Sequence, residues 1–158
     1  MYYPGVDLDA TEVTADMQTE ALGLAAAADV VIVCLGEGTY AEKPGDISDL
    51  SLSQGQRDYL ALLTSSATPV VLVLLEGRPR LLMGSADNAK SIVLGYVPGP
   101  QGGQAIVDIL FAKDGIQPSG RLPFTYPKDP ANIPYPYHHK PGDQCENSLP
   151  CEVCNDYA

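Results

Sequence analysis

Three short apolar runs punctuate the chain, and the pattern changes after each. The first, Val30-Val31-Ile32-Val33-Cys34, extends to Leu35; the second, Val70 to Leu75, opens behind Pro69; the third covers residues 91–96. The first two are unbroken apolar stretches without polar alternation and predict buried strands, the second as in a parallel sheet; the third predicts a further strand. Between them the period lengthens. Residues 14–28, TADMQTEALGLAAAA, are rich in Ala and Leu with an acid in the first turn and predict a helix. Ser53-x-x-Gln56 forms a capping-box pattern, and Tyr59, Leu60 and Leu63 follow at helical spacing. The turn Pro98-Gly99-Pro100-Gln101-Gly102-Gly103 leads into a helix with Ala105, Ile106, Ile109 and Leu110 on one face and Gly115 as its expected stop. Glu76-Gly77-Arg78-Pro79-Arg80 predicts a turn or crossing loop. Residues 81–89 fit neither period, and from Gln117 onward proline is frequent and structure sparse.

Strands alternating with helices predict an α/β fold: a three-layer αβα sandwich around a mostly parallel sheet. Only three strands are legible, few for a stable open sheet of this kind. The chain is therefore expected to be cut from a larger fold, with a sandwich domain over residues 1–137 and a Pro- and Cys-rich tail over 138–158.

Length and charge narrow the functional classes. A chain of 158 residues suits one domain with a real core. Nine Lys plus Arg against 20 Asp plus Glu give a net charge of −11, which argues against nucleic acid and anionic membranes as partners. No apolar run approaches the roughly 20 residues needed to span a bilayer. The start, MYYPGVDLDATEV, lacks the basic and apolar regions of a signal peptide.

Of the four cysteines, Cys34 lies inside an apolar run and is expected to be a buried thiol. Cys145, Cys151 and Cys154 crowd the last residues. They read as a small disulfide loop, Cys145 to Cys151 or Cys154, ahead of a metal knuckle with His138 or His139 as fourth ligand. No cofactor is implied: GxGxxG, GxxxxGKS, GxSxG and HExxH are all absent. Both histidines lie in the tail, which leaves a Ser–His–Asp triad without an evident base.

Carboxylate chemistry remains. The loop LGEGTYAEKPGDISDL packs Glu37, Glu42, Asp46 and Asp49 beside Tyr40 and Lys43, directly after a predicted buried strand. Loops at strand ends are where α/β proteins place their chemistry. An acid there can act as a general acid if its surroundings raise its pKa. The plainer alternative is a set of solvated loop acids.

Four segments in order tip that balance: VVIVCLGE–TYAEKPGDISDLSL–Q, TPVVLVLLEGRPR, GYVPGPQGGQAIVDILF and PSGRLPFTYP. Together they resemble glycoside hydrolase family 3, the β-glucosidase type, and within it the second, α/β-sandwich domain. The resemblance covers roughly residues 14–137. It implies retaining hydrolysis of terminal β-D-glucosyl residues from oligosaccharides or aryl glucosides, and by family habit a secreted protein. In that family the nucleophile is an Asp on a preceding (β/α)8 barrel, and the acid/base is commonly a Glu in a Y-x-E-x-x-G-D context. That pattern falls on Tyr40, Glu42, Gly45 and Asp46, making Glu42 the expected proton donor and later base. Glu37 is the second choice, or else fixes the loop by hydrogen bonds. Tyr40 is expected to flank a sugar ring or to pack, and Asp46 to shape the turn beside Gly45. Arg78 and Arg121 are expected to pair with nearby acids. The barrel, with the nucleophile and most of the sugar pocket, is not in this chain and is expected as the partner. Two alternatives stay open: a non-catalytic remnant that binds carbohydrate or a full-length relative, and a flavodoxin-like binder unrelated to sugars.

Overall fold

The computed structural model describes residues 1–130. The predicted tail and its cysteines and histidines, Cys145, Cys151, Cys154, His138 and His139, lie outside the described residues, as does the predicted boundary at residue 137.

Three strands form one parallel sheet in the order β1 (Val31–Gly36), β2 (Val70–Leu75), β3 (Ser91–Leu94). Register pairs Val31 with Val70 and Gly36 with Leu75, then Val71 with Ser91 and Leu74 with Leu94. Helix α1 (Ala15–Ala26) precedes β1, α2 (Gln54–Thr64) joins β1 to β2, and α3 (Gly102–Leu110) follows β3. The predicted strands and helices are thus present, within a few residues of their expected ends.

Alternation along the strands assigns the two faces of the sheet. Val31, Val33, Leu35, Val70, Leu72, Leu74, Ile92 and Leu94 share one core with Ala21 and Ala25 of α1 and Tyr59, Leu60 and Leu63 of α2. None of the intervening strand residues belongs to it. They face the other way, toward α3: a Cβ on Gly95 would stand 3.3 Å from the Ile106 side chain. Helices on both faces make this an αβα arrangement.

The second face is covered unevenly. Val73 of the central strand is fully buried, whereas Val30 and Ile32 are 43% and 39% exposed. Cys34, expected to be a buried thiol, is exposed on this same face. The continuous apolar run suggested burial on both sides, but among the described residues β1 is an edge strand, and α3 meets the sheet at its far side, where Ile106 stands against Gly95 just after β3.

Local chemistry explains most helix ends. The Thr14 hydroxyl accepts from Met17 N at 3.3 Å, capping α1, and Asp16 lies in its first turn. Ser53 is the N-cap of α2 but makes no side-chain cap bond, so the expected capping box does not form. Gln56 still donates from Nε2 to the Ser53 hydroxyl at 3.2 Å, but its shorter bonds run to the strand and the N-terminal segment. Its carboxamide accepts from Gly36 N at 2.9 Å and donates to Gly36 O at 2.9 Å and Leu8 O at 2.6 Å. Gly36 is buried, so leaving its peptide groups unpaired costs more than leaving a partly exposed cap to water. Helix α3 ends at Leu110, earlier than expected, and Gly115 instead closes the following 3-10 turn, Lys113–Gly115. Residues 81–89 form turns that begin with a bridge between Ser51 and Leu81.

Candidate active-site loop

Parallel neighbours β1 and β2 release their chains at the same edge of the sheet, so residues 37–53 and 76–80 emerge side by side. Glu37 is the first residue beyond β1, and its N–H still donates to Leu75 O at 3.1 Å. That holds its side chain over the second loop. The carboxylate accepts from Gly77 N at 3.1 Å, Arg78 Nε at 3.2 Å and Arg80 Nη1 at 2.8 Å, and the side chain is only 8% exposed. Burial pushes the Glu37 carboxyl up, but the bonds from Arg80 and Gly77 and the charge of Arg78 outweigh it and hold it below the usual range.

The two arginines reach different parts of the first loop. Arg80 donates to Leu50 O at 3.0 Å and Ser51 O at 2.6 Å, fixing the loop's exit. Arg78 donates to Gly45 O at 2.6 Å and lays its guanidinium 3.8 Å from the centre of the Tyr40 ring. Tyr40 fills the space between the loops: a Cβ on either Gly45 or Gly77 would stand 2.5 Å from its atoms. Any side chain at those two positions would displace the ring.

Glu42 lies between Tyr40 and Gly45 on the exposed crest of the loop. It precedes the 3-10 turn Lys43–Gly45, which Pro44 favours, and its carbonyl accepts from Gly45 N at 2.9 Å. Its backbone is at φ 51° and ψ −148°, a region glycine tolerates and other residues rarely enter. Its side chain makes no cap bond. The Asp46 N–H donates to Lys43 O at 3.0 Å and closes the turn, and the Asp46 side chain is exposed. Asp49 caps the end of the loop by accepting from Ser51 N at 2.8 Å, which lowers its pKa. Of the named loop residues, Glu37, Tyr40 and Gly45 are brought together through Arg78, while Glu42 and Asp46 face solvent.

Three participants were not foreseen from the sequence: Arg80, Glu76 and Tyr126. Glu76 directly follows β2 and is 2% exposed. The Tyr126 hydroxyl lies 2.7 Å from both Glu76 Oε1 and Arg80 O and accepts from Arg80 N at 3.2 Å, so the segment after residue 117 holds the Arg80 backbone. An acid directly following a buried apolar strand was the available signal for Glu76. Arg121, expected to pair with an acid, is exposed and forms no ion pair among the described residues. No group of three or more His, Cys, Asp or Glu among the described residues could hold a metal ion.

The fold is thus an αβα module with a clamped acidic loop at the C-terminal edge of its sheet, and known proteins share it. Residues 6–157 match the glycosyl hydrolase family 3 C-terminal domain, and the chain belongs to that family. It is 43% identical over 122 residues to a lysosomal β-glucosidase of Dictyostelium discoideum, covering 77% of this chain and 15% of the relative. It is 35% identical over 140 residues to a periplasmic β-glucosidase of Salmonella typhimurium, covering 88% of this chain and 18% of the relative. The crystal structure of a Listeria innocua β-glucosidase in complex with glucose superposes with a TM-score of 0.72 at 25% identity, over 82% of this chain and 18% of that one. The chain therefore spans less than a fifth of the length of these proteins.

Proposed function

We propose that this chain carries the acid/base side of a retaining β-glucosidase site. Glu42 donates the proton to the leaving glycosidic oxygen and then activates water, while the nucleophile comes from a barrel domain outside the chain. The observation that carries this reading is the backbone of Glu42. A non-glycine residue in so sparsely populated a region costs of order 1–3 kcal/mol and persists only where its surroundings enforce it. Here the Tyr40 and Gly45 contacts on either side enforce it. Glu37 and Asp49 have their oxygens engaged by neighbours, whereas the Glu42 carboxylate has none of those ties. Glu37 serves as the scaffold and Asp46 as the turn residue; Tyr40 offers an exposed ring edge to a sugar while its face packs on Arg78. The relatives' names support a β-linked glucoside as substrate.

In this chain the Glu42 loop is open to solvent. The proposal therefore requires the barrel to cover the loop, desolvating Glu42 and bringing substrate to it. The test is turnover of an aryl β-glucoside by this chain mixed with the barrel domain of a family 3 relative. Glu42→Gln is expected to lower the rate by about 10²–10⁴-fold. A variant that keeps the full rate would show that the acid/base lies elsewhere.

The openness of residues 38–44 favours one other reading, a carbohydrate-binding remnant without turnover. Calorimetry of the chain with glucose or cellobiose distinguishes them, because that reading expects binding heat with no hydrolysis in any mixture.

A further inference from the structure

Arg78 touches the loop on both sides of Glu42. Its guanidinium stacks on Tyr40, two residues before Glu42, and bonds Gly45 O, three residues after it. Its Nε is anchored on Glu37 at the end of β1, so the grip is referred to the sheet and not to another loop. Planarity matters at each contact. One face lies on the ring while the edge donates in two directions, to a carboxylate and to a carbonyl, a combination the single ammonium of lysine cannot reproduce.

We propose that Arg78 is the positioning residue for Glu42: it holds the Tyr40–Gly45 turn in the strained geometry that aims the Glu42 carboxylate, without touching substrate. This rests on Glu42 being the acid/base. The design of the site makes the role separable from folding. Arg80 and the Gly77 N–H both remain on Glu37 when Arg78 is changed, and Arg80 alone holds Leu50 and Ser51. Loss of Arg78 therefore frees the turn while the buried carboxylate stays paired.

Two measurements on Arg78→Lys test this. Amide hydrogen exchange of the full chain reads the turn directly, since Gly45 N–H is bonded to Glu42 O and Asp46 N–H to Lys43 O. Those two amides are expected to exchange about tenfold faster or more, the scale of one lost hydrogen bond to a charged group, with α2 and β2 amides unchanged. No acceleration, or equal acceleration throughout, overturns the proposal whether or not a mixture turns over.

The second measurement uses the chain mixed with a family 3 barrel domain. Protonation matters for a poor leaving group and little for dinitrophenolate, which departs unaided. Arg78→Lys is expected to lower kcat/KM by about 10²-fold for an alkyl β-glucoside, as misplacement of a catalytic group does, and to change it less than about threefold for the dinitrophenyl substrate. Equal losses on both substrates overturn the positioning role. Glu42→Gln is the control: if it shows no leaving-group dependence, the acid/base reading fails; if it does and Arg78→Lys does not, only the positioning role fails.

Discussion

Tyr126 has one hydroxyl proton and two acceptors at 2.7 Å, Glu76 Oε1 and Arg80 O. Both contacts are hydrogen bonds at once if Glu76 is protonated and donates to the Tyr126 oxygen, which donates onward to Arg80 O. Burial raises the Glu76 carboxyl from 4.5 to about 7, only partly offset by the bonds from Tyr126 and Arg80 N. The same burial, with the Glu76 charge, pushes the Tyr126 phenol up. The folded state thus binds a proton that the unfolded chain releases. That stabilisation is fully present below pH 4.5 and is lost as pH rises through about 7. The span corresponds to roughly 3 kcal/mol at 1.36 kcal/mol per pH unit. Glu76→Gln keeps the shape and removes the titration. In urea unfolding, the stability of Glu76→Gln relative to the parent chain is expected to rise by about 3 kcal/mol between pH 4.5 and pH 8. A difference independent of pH would mean that Glu76 is not protonated in the fold.

The pairing of α2 with β1 shows how much the sequence reveals of an element and where it stops. The period that predicts α2 is local, and so are the apolar runs that predict the three strands; these are legible without knowing the fold. Gln56 fitted a capping box because its spacing from Ser53 is right, yet its carboxamide bonds a strand residue 20 positions away. The site divides the same way. The acids and Tyr40 stand out within one loop, whereas Glu37 meets Arg78 and Arg80 across 41 and 43 positions and Glu76 meets Tyr126 across 50. No pattern within a window of the chain encodes such contacts; the register of β1 on β2 does. Gln56→Ala leaves a buried N–H and C=O of Gly36 unpaired, which is expected to cost about 2–4 kcal/mol at the usual penalty for such groups. The urea midpoint of the variant measures it, and a change below about 0.5 kcal/mol would mean that water replaces the carboxamide freely.

Gln56 also marks where the whole molecule is protected and where it is open. In a parallel strand, alternate residues direct their peptide groups to opposite neighbours. Val31 N and Glu37 N donate toward β2, at Pro69 O and Leu75 O, while the peptide groups of Gly36 face outward and meet Gln56. By the same alternation those of Ile32 and Cys34 face outward too, along an edge of β1 with no neighbouring strand among the described residues. Beside that edge lie the exposed side chains of Val30, Ile32 and Cys34. Unpaired strand groups next to an apolar strip form a template for pairing with another chain. The net charge of −11 opposes contact in general, though added salt screens it within about 10 Å at 0.1 M. The 158-residue chain is accordingly expected to self-associate with rising concentration, more strongly at 0.5 M than at 0.05 M sodium chloride, under reducing conditions that exclude disulfides. Ile32→Lys places a charge on the edge strand at a position already 39% exposed and is expected to restore the monomer at little cost in stability. Sedimentation velocity of both chains across that range decides the matter: a parent chain that stays monomeric throughout would mean that the β1 edge is not available for pairing.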